Sequence, residues 1–182
     1  MKNVVFLISL MYCSLANASC EIEQYKKYLN SQSVSMLEAT KNLFEEDKVA
    51  FKIIKPFVKY QVRHNKLNIY VAEKLNIIDP SLLNTDSTIA KLVPSFSLKV
   101  TSIGSLENRV DLAMANDSFY TSEKTAMSAD EDYYLFHKGM SSEEKKQFFS
   151  ARDVLNRFVS KSSYFPNVQS AFSKQFSEVC NL

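Results

Sequence analysis

The sequence predicts an all-α fold, a single compact domain of about five to seven helices whose termini are joined by a disulfide. Glycine is scarce, because the 182 residues contain only two glycines and four prolines. β-Hairpins depend on glycine at left-handed turn positions, so this scarcity disfavours an all-β fold. Apolar residues also recur at helical steps of three and four over residues 50–78. Three Ser-x-x-Glu sequences that match helix-capping boxes give a third indication.

The N-terminus has the order of a secretory signal, with Lys2, an apolar run over residues 4–13, and then small and polar residues. The run is shorter than the roughly 20 apolar residues that span a bilayer. Small residues precede the junction after Ala18, so we expect cleavage there. Residues 1–18 are then a signal peptide and residues 19–182 a single mature domain.

Cys20 has three interpretations: the acylated first residue of a lipoprotein, half of a disulfide, or a free thiol. Asn17 stands three residues before it, where a lipoprotein signal carries a branched apolar residue, so lipidation is disfavoured. Cleavage removes Cys13 and leaves Cys20 and Cys180 near the two ends of the mature chain. In an oxidising compartment this placement predicts a Cys20–Cys180 disulfide, and two unrelated free thiols are the alternative.

The compartment follows from the signal, which is brief and carries a single Lys, as is typical of bacteria. We therefore expect a periplasmic protein, with extracellular secretion as the alternative.

The chain has 22 Lys and Arg against 20 Asp and Glu, and loss of Lys2 lowers the formal net charge from +2 to +1. A protein so close to neutral has no general field for nucleic acid, so we expect no nucleic-acid partner. Beyond the signal no apolar run approaches membrane length, so we expect no stable membrane insertion after cleavage.

The first helices are predicted from a capping box at residues 35–38 and from the long periodic segment after it. Pro56 predicts either the first turn of a helix or a kink in a longer one. A short strand over residues 58–62 is the alternative, since apolar and polar residues alternate there, but eight consecutive helical steps favour the helix. The apolar stripe of this helix is Ala50, Ile53, Phe57, Tyr60, His64, Leu67, Val71, Leu75 and Ile78.

The later elements are predicted from the same signals. Residues 82–116 have a helical pattern interrupted by Pro94 and Gly104, which predicts two pieces. A capping box at residues 128–131 predicts a helix that ends at Gly139. A further box at residues 141–144 begins a helix with Phe148, Ala151, Leu155 and Phe158 on one face, and a last helix after Pro166 has Val168, Phe172, Phe176 and Val179 on one face.

Several chemistries lack the residues they need. The scarcity of glycine excludes a phosphate-binding loop, a dinucleotide fingerprint and a nucleophile elbow. His64 and His137 have no second ligand at metal-binding spacing, so we expect neither a metal nor a cofactor, and no enzyme activity. The acidic runs at 45–47, 130–132 and 143–144 leave a carboxylate-pair hydrolase as an alternative, although two of the runs lie at predicted helix starts, where acids complement the helix dipole.

Residues 116–136 form the best candidate surface, because aromatic side chains stand there in polar, aperiodic sequence beside acids. Tyrosine next to acids is a combination typical of interface anchors. The alternative is that these aromatics pack beneath the loop as a small satellite cluster. The candidate partner-binding residues are Phe119, Tyr120, Asp130, Asp132, Tyr133 and Tyr134.

Taken with the compartment and the size, these observations predict a protein that acts by binding another protein and neutralising it, as an immunity protein or an inhibitor does. The first alternative is a helical periplasmic chaperone or stress adaptor. The second is a helical hydrolase that uses a carboxylate pair.

Overall fold

The computed structural model describes residues 2–93, 106–129 and 140–180, with side chains described from residue 20 onward except at 106–108. The described residues contain seven α-helices and no β-strand, which confirms the all-α prediction. Two 3-10 turns, Pro80–Leu82 and Ile89–Lys91, follow the second helix. The α-helices are α1 (Lys2–Glu46), α2 (Lys48–Ile78), α3 (Leu106–Ala113), α4 (Ser118–Ala129), α5 (Ser142–Val159), α6 (Phe165–Ser173) and α7 (Phe176–Cys180).

The predicted disulfide is present. Cys20 on α1 is bonded to Cys180 at the end of α7, with their Cα atoms 5.8 Å apart. The bond closes 160 residues of sequence separation, so it holds both ends of the helical domain together.

Helices α1 and α2 form a long antiparallel hairpin with a one-residue connection. The Asp47 carboxylate accepts hydrogen bonds from the backbone amides of Val49 (3.0 Å) and Ala50 (2.9 Å), which caps the start of α2. Pro56 lies inside α2, so it does not begin the helix. Because Asp47 supplies the N-cap nine residues earlier, the helix starts without the help of the proline.

A buried polar layer sets the register of this hairpin. Asn65 is 1% exposed, and its amide nitrogen donates to Gln32 Oε1 (2.8 Å) and Ser33 Oγ (3.1 Å) on α1. Gln61 donates to the Asn65 side-chain oxygen (3.1 Å). A shift of α2 along α1 would leave these buried groups without partners, so the layer disfavours other registers.

Two apolar clusters lie on either side of the polar layer. The larger one packs the first part of α1 and the second part of α2 against α3, α4, α6 and α7, around residues such as Val71, Leu75 and Met114. The smaller one packs the α1–α2 connection end against α5 and contains Leu43, Ile54 and Leu155. The hairpin is therefore the common framework on which the shorter helices are mounted.

The predicted apolar stripe of α2 is correct at Ala50 and over residues 67–75, displaced in its middle, and wrong at Ile78. Ala50, Leu67, Val71 and Leu75 are buried as expected, but the central buried positions include Ile54, Val58 and Asn65. Ile78 is 53% exposed. The reason is that α1 and α5 cover different sides of the N-terminal half of α2, so the buried arc there is wider than one stripe.

Of the three predicted capping boxes, one is confirmed. Ser141 Oγ accepts from the Glu144 amide (3.3 Å), and Glu144 Oε2 accepts from the Ser141 amide (2.7 Å). Ser35 lies in the interior of α1 and is fully buried, so the helix start predicted there is wrong. Ser128 lies in the last turn of α4, where its hydroxyl donates to the Thr125 carbonyl (2.9 Å), so it does not begin a helix. At Ser35 the packing of a longer helix overrides the local signal.

The predicted last helix is two helices. The chain is extended at 174–175, where the Lys174 carbonyl accepts from the Ile89 amide (3.2 Å), and α6 therefore ends at Ser173. Phe172 is 59% exposed, with its ring at the edge of Tyr28, while Val168 and Ala171 are buried. Pro94, Gly104 and Gly139, which were expected to end or interrupt helices, lie outside the described residues, and α3 is the described helix of the 82–116 segment.

Candidate functional site

Two neighbouring residues of the predicted interface differ in their burial. Phe119 on α4 is 50% exposed and packs against the ring of Tyr70, with the centroids 4.6 Å apart. Tyr120 is 2% exposed and belongs to the larger apolar cluster. The interpretation of Tyr120 as an accessible anchor is therefore wrong, because the side chain faces the core. The other candidates, Asp130, Asp132, Tyr133 and Tyr134, lie outside the described residues.

The hydroxyl of Tyr120 donates to Asp111 on α3, and the same carboxylate receives Lys124 Nζ (2.6 Å). Burial, followed by the hydrogen bond to Asp111, raises the pKa of Tyr120. This arrangement satisfies a polar tip on a buried ring and ties α3 to α4, so its role is structural.

Asp117 organises the surface around Phe119. Its carboxylate accepts from the Tyr120 amide (2.9 Å), which caps α4, and from the Tyr70 hydroxyl (2.8 Å). Lys74 Nζ lies 3.5 Å from the same group. The amide and the hydroxyl lower the pKa of Asp117, so the carboxylate stays charged and fixes the platform on which Phe119 lies.

The described histidine has the surroundings of a structural residue. His64 stacks on Tyr60 (5.8 Å between ring centroids), and its Nδ1 lies 3.2 Å from Asn68 Nδ2. Burial lowers the pKa of His64. His137 lies outside the described residues. Within the residues that the structure describes, no group of three His, Cys, Asp or Glu side chains has the spacing of a metal site.

Two of the three acidic runs in the sequence supply residues that cap helices. Asp47 caps α2, and Glu144 completes the capping box of α5. The backbone amide of Ser141 lowers the pKa of Glu144. The run at 130–132 lies outside the described residues. Each of these two acids therefore already satisfies backbone donors at a helix start.

An open groove lies between α1 and α2, and none of the described residues that line it is one of the predicted site residues. It encloses about 430 Å³. Its floor is apolar and is formed by Leu37, Phe51, Val58 and Val62. Leu37 is 52% exposed and Phe51 and Val62 are half-buried, whereas Val58 is buried beneath them, so solvent reaches the floor mainly at Leu37.

The rim of the groove is cationic. It consists of Lys55, Lys59, Arg63 and Lys66, and none of the described residues that line the groove is a carboxylate. Arg63 donates through Nε to Glu123 Oε2 of α4 (2.8 Å), and this bond lowers the pKa of Glu123. Lys55 and Lys66 are exposed.

The apolar floor continues toward the α1–α2 connection through an aromatic pair. Phe44 is 49% exposed and meets Phe51 edge to face, with the centroids 5.0 Å apart. Lys48 lies over the Phe44 ring (5.8 Å) and Lys55 over the Phe51 ring (5.6 Å). These contacts hold exposed rings beside cations, an arrangement that combines apolar area with positive charge.

The sequence contained a signal for this groove. Val58 and Val62 belong to the alternating pattern that suggested a short strand, and Phe51 and Val62 fall outside the apolar stripe of α2. Apolar residues off the stripe, interleaved with Lys55, Lys59 and Arg63, indicate a second apolar face on the same helix.

A smaller concavity of about 270 Å³ lies near the disulfide, between α1 and α6. Its lining is mainly polar and includes Gln24, Lys27, Asn167 and Lys174. The groove on the α1–α2 hairpin has the apolar floor that binding surfaces need. It is therefore a stronger candidate for a binding site than the concavity near the disulfide.

Comparison of the chain with protein-family models, with curated proteins and with solved structures gives no match. Over the described residues, no helix has both the length and the apolar character that crossing a membrane requires.

Proposed function

We propose that this chain is an exported periplasmic protein that binds another protein and neutralises it, in the manner of an immunity protein or an inhibitor. The observation that carries the proposal is the open groove, in which Leu37 is 52% exposed and Phe51 and Val62 are half-buried. Exposed apolar surface edged by polar groups is typical of protein-binding sites.

The rest of the molecule supports a binding role. The groove is built on the two longest described helices, which are held in one register by the buried Asn65, and the disulfide ties the first of them to the C-terminal helix α7. A rigid surface loses little conformational freedom on association, and that favours affinity.

The experiment compares two identical changes at two exposed leucines. Leu37→Ser lies in the groove, and Leu112→Ser lies on α3, where the side chain is 68% exposed. A photo-crosslinking residue placed at each position in cells identifies any bound protein by mass spectrometry. We expect a discrete crosslinked partner at position 37 and at least a roughly thirtyfold loss of affinity for it on Leu37→Ser, with the Leu112→Ser variant unchanged.

A chaperone is the second candidate, because an open apolar groove also suits transient contact with unfolded chains. The two functions differ in stoichiometry and selectivity. A neutralising protein saturates with one partner in a fixed ratio, whereas a chaperone suppresses aggregation of several unrelated clients. If Leu37→Ser abolishes suppression for all clients and no single partner crosslinks, the chaperone function replaces the first proposal.

Export is tested separately. We expect the mature protein to begin at Ser19, to carry no acyl chain and to be released by osmotic shock. An intact mass that includes a diacylglyceryl group, with Cys20 as the first residue, would contradict this part of the proposal.

A further inference from the structure

We propose that the groove on the α1–α2 hairpin takes an acidic amphipathic helix of the partner. This inference rests on the proposed function and specifies the chemistry of the bound segment. The occupant presents an apolar stripe to Leu37, Phe51 and Val62, and carboxylates to the exposed Lys55 and Lys66 of the rim.

The dimensions of the groove match a helix. Its lining on α2 extends from Phe51 to Lys66, which at about 1.5 Å per residue is roughly 22 Å, or about four helical turns. A groove between two packed helices accepts a third helix by the packing of side-chain ridges into grooves. A partner segment of about 15 residues therefore matches the length of the groove along α2 and meets α1 at the single turn of Leu37 and Thr40.

The spacing of the cations selects among anionic ligands. Lys55, Lys59 and Arg63 follow one another at intervals of four residues, and Lys66 continues the row. The row extends over roughly 16 Å, with one charge in each turn. A helix that carries acids along one side brings carboxylates to both ends of this row, at Lys55 and Lys66, whereas a fatty acid or a single lipid headgroup brings one anionic group.

The protein already contains one such pairing. Glu123 lies on α4, a helix that packs beside α2, and its carboxylate meets Arg63 at 2.8 Å. A helix lying next to α2 thus delivers an acid to this row. The partner helix repeats that contact farther along, at the exposed Lys55 and Lys66.

The apolar floor and the cationic rim have different tasks. Exposed ion pairs contribute little affinity each, so most of the binding free energy comes from burial on the floor. The rim determines which helices are accepted and how fast they associate, because complementary charge acts mainly on specificity and on the association rate.

The test uses two synthetic helices of about 15 residues with the same leucine stripe. One carries Glu on both flanks of the stripe, and the other carries Lys at the same positions. Fluorescence anisotropy gives the dissociation constants with the full-length mature protein at low and high salt. We expect the Glu helix to bind at least about tenfold more tightly at low salt, and the difference to shrink at high salt.

Charge reversal then tests the rim directly. The double variant Lys55→Glu with Lys66→Glu is expected to reverse the preference, so that the Lys helix binds more tightly. Lys145→Glu, at an exposed position on α5, is the control and leaves the preference unchanged. Circular dichroism confirms that each variant remains helical.

Three results would overturn the inference: equal binding of the two helices, an unchanged preference in the double variant, or displacement of the Glu helix by long-chain fatty acid or anionic vesicles at lower concentrations than by unlabelled peptide. Failure here is distinguishable from failure of the proposed function. If Leu37→Ser abolishes capture of the cellular partner while the Glu helix does not bind, the groove remains a protein-binding site with a different occupant. If Leu37→Ser changes neither the capture of the cellular partner nor the binding of the Glu helix, both proposals are wrong.

Discussion

Phe119 and Tyr120 are adjacent in sequence, yet truncation of each to alanine has very different expected effects. An aromatic side chain buries roughly 150–250 Å² on folding, which at about 25 cal/mol per Å² corresponds to roughly 4–6 kcal/mol. Tyr120 is 2% exposed, so Tyr120→Ala loses nearly all of this and leaves a cavity. Measured aromatic-to-alanine changes in cores give about 3–5 kcal/mol, so we expect about 4 kcal/mol.

Phe119 is 50% exposed and touches Tyr70 at the surface. Phe119→Ala leaves no enclosed cavity, and we expect a loss below about 1.5 kcal/mol. Tyr120→Phe keeps the ring and removes only the bond to Asp111, which still pairs with Lys124. We expect that change to cost about 1 kcal/mol.

The assay is urea denaturation of the mature, oxidised protein followed by circular dichroism. We expect Tyr120→Ala to lose the most stability. Tyr120→Phe and Phe119→Ala are both expected to lose clearly less. Equal losses for the two alanine variants would refute the reasoning, because they would mean that both side chains have the same burial. If Phe119→Ala instead weakens partner binding at unchanged stability, the platform around Asp117 belongs to the interface as well.

Three further predictions concern the framework. Loss of the Cys20–Cys180 bond is expected to lower the free energy of unfolding by about 2–4 kcal/mol, and unchanged melting in reductant would count against its contribution. Asn65→Ala leaves buried partners unsatisfied and is expected to lower the free energy of unfolding by about 1–3 kcal/mol. The control Asn76→Ala, at a half-exposed position of α2, is expected to change it little. Burial lowers the pKa of His64 in the folded state, so the unfolded chain binds the proton more tightly and stability falls as the pH drops below about 6.5. His64→Gln is expected to flatten that pH dependence, and an identical slope in the variant would refute the assignment.

Features with a local cause could be predicted from the sequence. The capping box at Ser141 depends only on side chains within four residues, and it is present as expected. The length of α2 follows from periodicity that Pro56 does not interrupt. The pairing of Cys20 with Cys180 required only that two cysteines remain in the mature chain.

The candidate site was harder to predict, since exposure is not a local property. Phe119 and Tyr120 have the same sequence context, but one lies at the surface and the other in the core, because α4 has a single side in contact with α3 and the hairpin. The groove was missed for a related reason. Its floor residues on α2 lie outside the main stripe, and helical periodicity places such residues at the solvent side.

The sequence by itself determined the helical class, the α2 segment, one capping box and the covalent closure, because each depends on backbone preferences or on the two cysteines that follow the predicted signal. Tertiary structure decided that Ser35 and Ser128 lie inside helices, and it decided which apolar residues remain uncovered. The physical reason is that burial depends on which neighbours pack against each side of a helix. α5 covers one side of the hairpin. The side that carries Leu37 and Val62 stays open beside the row of cations on α2.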